Sequence, residues 1–230
     1  GFGENFNITR EGLAGTLPTP EWMAKERPNE RWTAGHTANL AIGQGSLTAT
    51  PLHMAVLAAT VAQRGKVPQP TFLRIQDAAG AEVRADLAAE GLAVEQMEQL
   101  REGMRQVVNK DNGTGMGARS DKVVIAGKTG TTQAWRTVDG KKVEDNTSWF
   151  IGFAPYDNPT LAFAILKQGG KSGGHDCAPL AKRIVEETLA LPADGSGEVK
   201  PVEETAEALR PFQYEHQRAR IAAALDLAEK

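Results

Sequence analysis

At 230 residues, with 40% hydrophobic and 24% charged side chains, the chain has the material for a globular domain with a sizeable core, which argues against disorder throughout. Its 26 basic and 29 acidic residues leave a formal charge of −3, so no broad attraction to nucleic acid or an anionic membrane is expected. The single cysteine, Cys177, excludes an intrachain disulfide and a cysteine-rich metal site, and no run approaches the roughly 18 apolar residues of a membrane span.

The first five residues, Gly1-Phe2-Gly3-Glu4-Asn5, show no signal-peptide pattern, so any export address is expected outside this chain. Residues 1–45 are rich in Gly, Pro, Thr and Asn. Pro18, Pro20 and Pro28 interrupt any periodicity, and the stretch reads as loops and short turns. So long an irregular opening predicts either a segment wrapped on a surface supplied by something else, or a chain entered partway through a domain.

Thr50-Pro51 is an N-cap followed by proline in the first turn, and residues 52–63 are apolar on nearly every face until Gly65, which predicts a buried helix. Phe72, Leu73 and Ile75 suggest a short strand over residues 69–76, with Ala79-Gly80 as a turn. Val94, Met97, Leu100, Met104, Val107 and Val108 recur at helical spacing, and Asn109-Lys110-Asp111-Asn112-Gly113 stops that helix. Three β-like runs follow, over residues 122–133, 147–154 and 160–168, joined by a polar connection (137–145) and a Pro155-to-Pro159 turn; successive antiparallel hairpins are expected. Asp176 or Cys177 is placed to cap a helix with Pro179 in its first turn, and Leu180, Ile184, Val185 and Leu189 give it a face that packs on the sheet. Residues 192–210 read as an acidic linker and 211–230 as an amphipathic helix carrying Tyr214, Ile221 and Leu225 on one face.

Val123-Val124-Ile125-Ala126-Gly127-Lys128-Thr129-Gly130-Thr131-Thr132-Gln133 is an apolar strand that runs into a cationic, small and hydroxylated stretch. A phosphate-binding loop would need a glycine five positions before Gly127, where Lys122 stands, and a helix after it rather than more strand. Gly113-Thr114-Gly115-Met116-Gly117 follows a helix instead of a strand, so it reads as a flexible connection and not a dinucleotide loop.

Acyl transfer at a sheet edge fits better. Lys128-Thr129-Gly130-Thr131 resembles the Lys-Thr-Gly motif of serine penicillin-binding proteins and their β-lactamase relatives, and Trp149-Phe150-Ile151-Gly152-Phe153-Ala154-Pro155 looks like the family's next strand. Gly43-Gln44-Gly45 followed by Thr50-Pro51-Leu52-His53-Met54-Ala55 resembles class B penicillin-binding proteins. Gly1-Phe2-Gly3 and Leu17-Pro18-Thr19-Pro20-Glu21-Trp22 point to the elongation-type, penicillin-binding-protein-2-like subgroup. The resemblance covers residues 1–191, read as the C-terminal part of a transpeptidase domain.

It implies an α+β fold of the penicillin-binding protein/β-lactamase-like transpeptidase class, an antiparallel sheet flanked by helices, with the N-terminal part of the domain missing. It also implies a peptidoglycan D,D-transpeptidase at the periplasmic face of the inner membrane, anchored outside this chain, that uses no cofactor. Lys128 would serve the substrate carboxylate and the proton network. The Thr131 N–H would be one of two oxyanion donors. Thr129, Gly130, Thr132 and Gln133 would bind substrate, Gly130 by letting the ligand come close.

The family's Ser-x-x-Lys nucleophile and Ser-x-Asn motif are absent: Ser46, Ser120, Ser148, Ser172 and Ser196 are followed three residues on by Ala49, Val123, Ile151, His175 and Val199. In the family both motifs precede the region matched here, so the chain is expected to be inactive by itself. The strand over residues 160–168 is expected to lack a sheet partner, which the N-terminal half of the domain or a strand-exchanged second copy would supply. Stem peptides, β-lactams and cell-wall elongation proteins are the implied partners. A non-catalytic binding or scaffold module, and a β-lactam-hydrolysing or β-lactam-sensing relative, are the alternative functions.

His175-Asp176-Cys177 reads as loop and helix cap, because adjacent residues rarely converge as a catalytic set. His36, His53 and His216 lack metal-ligand spacing. Trp149, Phe150 and Phe153 read as core, and Arg218 and Arg220 as a solvated face that could also dock a partner.

Overall fold

In the computed structural model, which describes residues 2–6, 14–71, 82–133, 135–138 and 140–190, the opening stretch is more regular than its prolines suggest. It forms α1 (Pro20–Glu26) and α2 (Ala34–Ala41). Pro20 occupies the first turn of α1, where a missing N–H leaves nothing unsatisfied, and Thr19 Oγ1 accepts the Trp22 N–H at 3.0 Å. The proline read as a breaker is a start signal. At α2 the reciprocal cap uses a histidine: the Thr33 N–H donates to His36 Nδ1 at 3.0 Å.

The same device opens α3 (Pro51–Ala62), as expected. Thr50 Oγ1 accepts the His53 N–H, and the Thr50 N–H donates to His53 Nδ1, both at 3.2 Å. His53 Nε2 donates to the Glu4 carbonyl at 2.9 Å, so this imidazole is a buried structural residue. Arg64 and Gly65, both at positive φ, turn the chain directly from α3 into β1 (Lys66–Pro68), which pairs with β2 (Val83–Asp86). Of the strand expected over 69–76, Gln69, Pro70 and Thr71 lie outside any strand, and the remainder, with the Ala79-Gly80 turn, lies outside the described residues.

Helix α4 (Val94–Asn109) forms where its hydrophobic period predicts and buries Met97, Met104 and Val108, while Val94 and Leu100 stay exposed. The glycine-rich segment after it is no flexible connection. Gly115 donates its N–H to the Val107 carbonyl at 2.9 Å, a Cβ on Gly113 would lie 2.3 Å from that same oxygen, and Met116–Ala118 close a 3-10 turn. These glycines let the chain press back on α4.

The central sheet has the order β3 (Ala126–Thr132), β6 (Thr147–Ala154), β7 (Leu161–Gln168), all antiparallel. β3 starts four residues later than Lys122 because β6 ends at Ala154. Val124 has no strand opposite, and its carbonyl accepts instead from the Tyr156 N–H at 2.9 Å. The polar connection between them is itself a hairpin, β4 (Trp135–Val138) and β5 (Lys141–Glu144), with Gly140 at a positive φ of 75° just before β5.

Strand β6 is buried on both faces, which is why its sequence is continuously apolar. Phe150 packs with Ile125, Phe163 and Cys177 against Ala178, Ala181 and Val185 of α5 (Ala178–Ala190). Phe153 faces the other way, into Val61 and Ala62 of α3 and Met104 of α4. The two aromatic rings therefore anchor opposite layers rather than one alternating face. The expected cap of α5 is also revised: Ser172 caps a π-helical turn, Gly173–Cys177, that leads into α5, and Asp176 and Cys177 lie inside it. Among the described residues no strand pairs the outer edge of β7. The linker and helix expected over 192–230 lie outside the described residues.

On the α4 side, the fully buried Arg101 donates to the carbonyls of Ala62 and Tyr156 and lies over the rings of Phe153 and Tyr156, 5.1 and 5.0 Å from their centroids. Beside it, the Arg105 hydrogen bonds, helped by Gln106, hold the Glu102 carboxyl down to about 2 from its ordinary 4.5.

Two outcomes follow from this packing. A Cβ at position 152 would lie 2.4 Å from the Ala126 carbonyl oxygen and 2.7 Å from Phe163 Cζ, so Gly152→Ala should destabilise the fold by about 1–3 kcal/mol in chemical denaturation. Because Glu102 titrates lower in the folded state, its stabilisation is complete above pH about 4.5 and disappears as pH falls toward about 2. Glu102→Gln should flatten that acid limb of the stability profile, and an unchanged limb would count against the ion pair.

Candidate functional site

Strand β3 is an edge strand, with β6 on one side only among the described residues. In an antiparallel pair, alternate residues turn both their N–H and C=O toward the partner and the residues between turn both away. Two observations fix which set is which. Gly173 lies over the β3–β6 seam, where a Cβ would come within 1.9 Å of the Trp149 carbonyl oxygen and 2.9 Å of the Gly130 one. Those two oxygens are neighbours only if Gly130 and Trp149 are a hydrogen-bonded pair. The carbonyls of Thr129 and Thr131 meanwhile accept from side chains rather than from β6, Lys128 Nζ at 2.7 Å and Gln44 Nε2 at 3.4 Å.

Lys128, Gly130 and Thr132 therefore hold β6, and Thr129 and Thr131 present N–H and C=O to the open edge. Lys128 brings its exposed ammonium to that edge. Thr132, expected to align a ligand, spends its main chain on β6, and Gln133 lies one residue beyond the strand. Gly130 has its vacancy on the Trp149 side, where a Cβ would sit 3.3 Å from Trp149 Cβ.

Directly opposed residues share a face, which puts the Thr129 side chain with Phe150 and the Thr131 side chain with Ser148. Thr129 Oγ1 lies 2.9 Å from Thr114 Oγ1. That hydroxyl is thus held from behind by the glycine-rich segment. Thr114 was not singled out from sequence, and its only signal there was its position between two glycines.

Gln44 is the second residue missed as a site candidate. Gly43 and Gly45 flank it at positive φ, 73° and 79°, which brings its amide to the Thr131 carbonyl. It also lines a cavity of about 370 Å³ with Arg27, Trp32 and His36.

The turn that backs the strand is tied down by Asp176, whose side chain is 5% exposed. Burial alone would raise its carboxyl, but hydrogen bonds from Lys167, the N–H groups of Ser172 and Lys171, and His175 outweigh it and hold the group well below the usual carboxylate range. Neighbouring Cys177 is buried, burial pushes its thiol up, and its Sγ donates to the Ser148 carbonyl at 3.5 Å. His175, Asp176 and Cys177 do not converge on a common point as a nucleophilic set. Among the described residues no group of three or more His, Cys, Asp or Glu is placed to hold a metal ion, and no helix is long and apolar enough to cross a membrane.

The sequence profile of the penicillin binding protein transpeptidase domain matches residues 1–186. The peptidoglycan D,D-transpeptidase MrdA of Haemophilus influenzae is 34% identical over a 202-residue alignment that covers 81% of this chain and 31% of that protein. MrdA of Acinetobacter baumannii is 34% identical over a 204-residue alignment that covers 81% of this chain and 29% of that protein. The chain thus spans about a third of the length of these relatives. Among solved structures, the Helicobacter pylori complex of PBP2 with MreC superposes with a TM-score of 0.68 at 31% identity, covering 83% of this chain and 35% of that one. Pseudomonas aeruginosa PBP2 in complex with WCK 5153 superposes with a TM-score of 0.67 at 30% identity, covering 88% and 44%.

The alternation along β3 has a direct readout. In amide hydrogen exchange the N–H groups of Lys128, Gly130 and Thr132 should be protected, and those of Thr129 and Thr131 should exchange as edge amides. The reverse pattern would overturn the assignment of the open edge.

Proposed function

The chain belongs to the penicillin-binding-protein transpeptidase family, and from that premise we propose that it is the substrate-aligning part of a penicillin-binding-protein-2-like peptidoglycan D,D-transpeptidase. The observation that carries this reading is the open β3 edge, where Thr129 and Thr131 face outward beside the Lys128 ammonium. An extended stem peptide adds to such an edge as an antiparallel strand, taking main-chain hydrogen bonds in register. A β-lactam, with its amide and carboxylate, engages the same groups. Lys128 and the Thr131 hydroxyl are donors for the terminal carboxylate; Thr129 contributes mainly through its backbone, its hydroxyl being turned to Thr114.

The nucleophile is a serine on a Ser-x-x-Lys segment outside this chain, in keeping with the third of its relatives' length that the chain spans. Its Oγ attacks the carbonyl of the penultimate D-alanine, and the carbonyl oxygen takes up the charge. The outward N–H of Thr131 and the serine's own N–H donate to that oxygen. Expulsion of the terminal D-alanine leaves an acyl-enzyme, which the amine of a second stem peptide resolves.

The first half of the domain also supplies a strand for the outer edge of β7, a role that a second copy of this chain would take over in its absence. The place of work is the periplasmic face of the inner membrane. A cell-wall elongation protein is a partner in this reading, as MreC is for the Helicobacter pylori PBP2.

Fluorescent penicillin tests the proposal. Full-length protein in which Ser-x-x-Lys precedes this chain should be covalently labelled, and the 230-residue chain by itself should not. Lys128→Ala in the full-length protein should slow labelling about 10- to 100-fold, the worth of one charge-assisted hydrogen bond. Labelling of the isolated chain, or normal labelling of the lysine variant, would contradict this account.

A further inference from the structure

Asp176 is nearly buried, carries more hydrogen bonds than any helix cap needs, and plays no part in the chemistry described above. Its Oδ2 accepts the N–H groups of Lys171 at 2.6 Å and Ser172 at 3.0 Å, and the Ser148 hydroxyl at 3.4 Å. Its Oδ1 accepts from Lys167 Nζ at 2.7 Å and lies 3.4 Å from His175 Nδ1.

The two side-chain partners from the sheet are not arbitrary. Ser148 on β6 pairs with Thr131 on one side and with Lys167 on the other, so Thr131, Ser148 and Lys167 form one cross-strand row. Asp176 grips two members of the row whose third member carries the outward N–H. The turn it anchors lies against the same strand. Gly173 sits over the Gly130–Trp149 hydrogen bonds, and a Cβ on Gly174 would be 2.1 Å from the Thr114 carbonyl oxygen and 3.7 Å from Thr129 Cγ2. With no space for even a methyl group at Gly173 or Gly174, a shift of the turn toward the sheet is passed on to β3, since packed interiors transmit displacements rather than absorb them.

We propose that Asp176 is a positioning residue for acyl transfer: by clamping the Gly173–Cys177 turn onto the Thr131–Ser148–Lys167 row, it fixes where the Thr131 N–H points. The inference rests on the transpeptidase reading and deepens it. An oxyanion donor acts on the transition state more than on the bound ground state, so a misplaced one lowers the rate of acylation and leaves initial binding nearly intact.

Stopped-flow acylation of the full-length protein by a chromogenic β-lactam separates the two constants. Asp176→Asn keeps the size of the side chain, removes the negative charge, and sets an NH2 group against N–H donors. It should lower the acylation rate constant about 10-fold with non-covalent affinity within about threefold of wild type. Lys167→Met removes one arm of the clamp and leaves the Lys171 and Ser172 N–H groups on the carboxylate. It should shift the same constant in the same direction by a smaller factor, and it decides the matter if the Asp176 variant fails to fold. Wild-type acylation rates in both variants, or a loss confined to affinity, would overturn the positioning role and leave the transpeptidase reading standing. A wild-type protein that takes up no β-lactam would overturn that reading and this inference together.

Discussion

Everything at the open edge depends on one constraint, the hydrogen-bond parity of β3 against β6. A strand that bonds its neighbour through Lys128, Gly130 and Thr132 has no freedom in what it does with Thr129 and Thr131, whose amides and carbonyls must face the other way. Slipping the register by one residue would exchange the two sets and turn every side chain to the opposite face. Glycine holds that register from both directions. Gly127 and Gly152 leave space for Phe150 and Phe163, since a Cβ on either would come within 2.7 Å of the ring. Gly173 then lets the π-helical turn rest on the seam itself.

The layers around the sheet serve the same end. Phe150 and Phe153 point in opposite directions from β6 and bind it to α5 on one side and to α3 and α4 on the other. Burying each ring contributes several kcal/mol against truncation, roughly 3–5 for a phenylalanine removed from a core. The strand that orients β3 is thereby the most firmly held element of the sheet. Among the described residues no strand pairs the outer edge of either β3 or β7.

Much of this was legible in sequence where local chemistry is unambiguous. The Thr50-Pro51 start, the period of α4, the run from Thr147 to Ala154 and the Lys-Thr-Gly stretch each carry a strong local signal, and each forms the expected element. Misreadings came where one residue type supports two outcomes. Pro20 starts a helix and does not break one, and the polar connection over 137–145 carries a hairpin of its own, β4 with β5. Thr114 and Gln44 were invisible as site residues because their contacts to Thr129 and Thr131 span 15 and 87 positions. Neither contact leaves a periodicity or a spacing to find. The local sequence offers Asp176 or Cys177 as a cap before Pro179, and only the cross-strand row, which no single strand reveals, shows what Asp176 grips.

The central claim is geometric, and a crystal structure of the full-length protein acylated by a β-lactam tests it most directly. The acyl carbonyl oxygen should lie about 2.7–3.1 Å from the Thr131 nitrogen, with the ligand's side-chain amide running antiparallel to β3 and its carboxylate near Lys128. An acyl oxygen held by other donors, or a ligand that leaves the Thr129 and Thr131 edge unoccupied, would contradict the account.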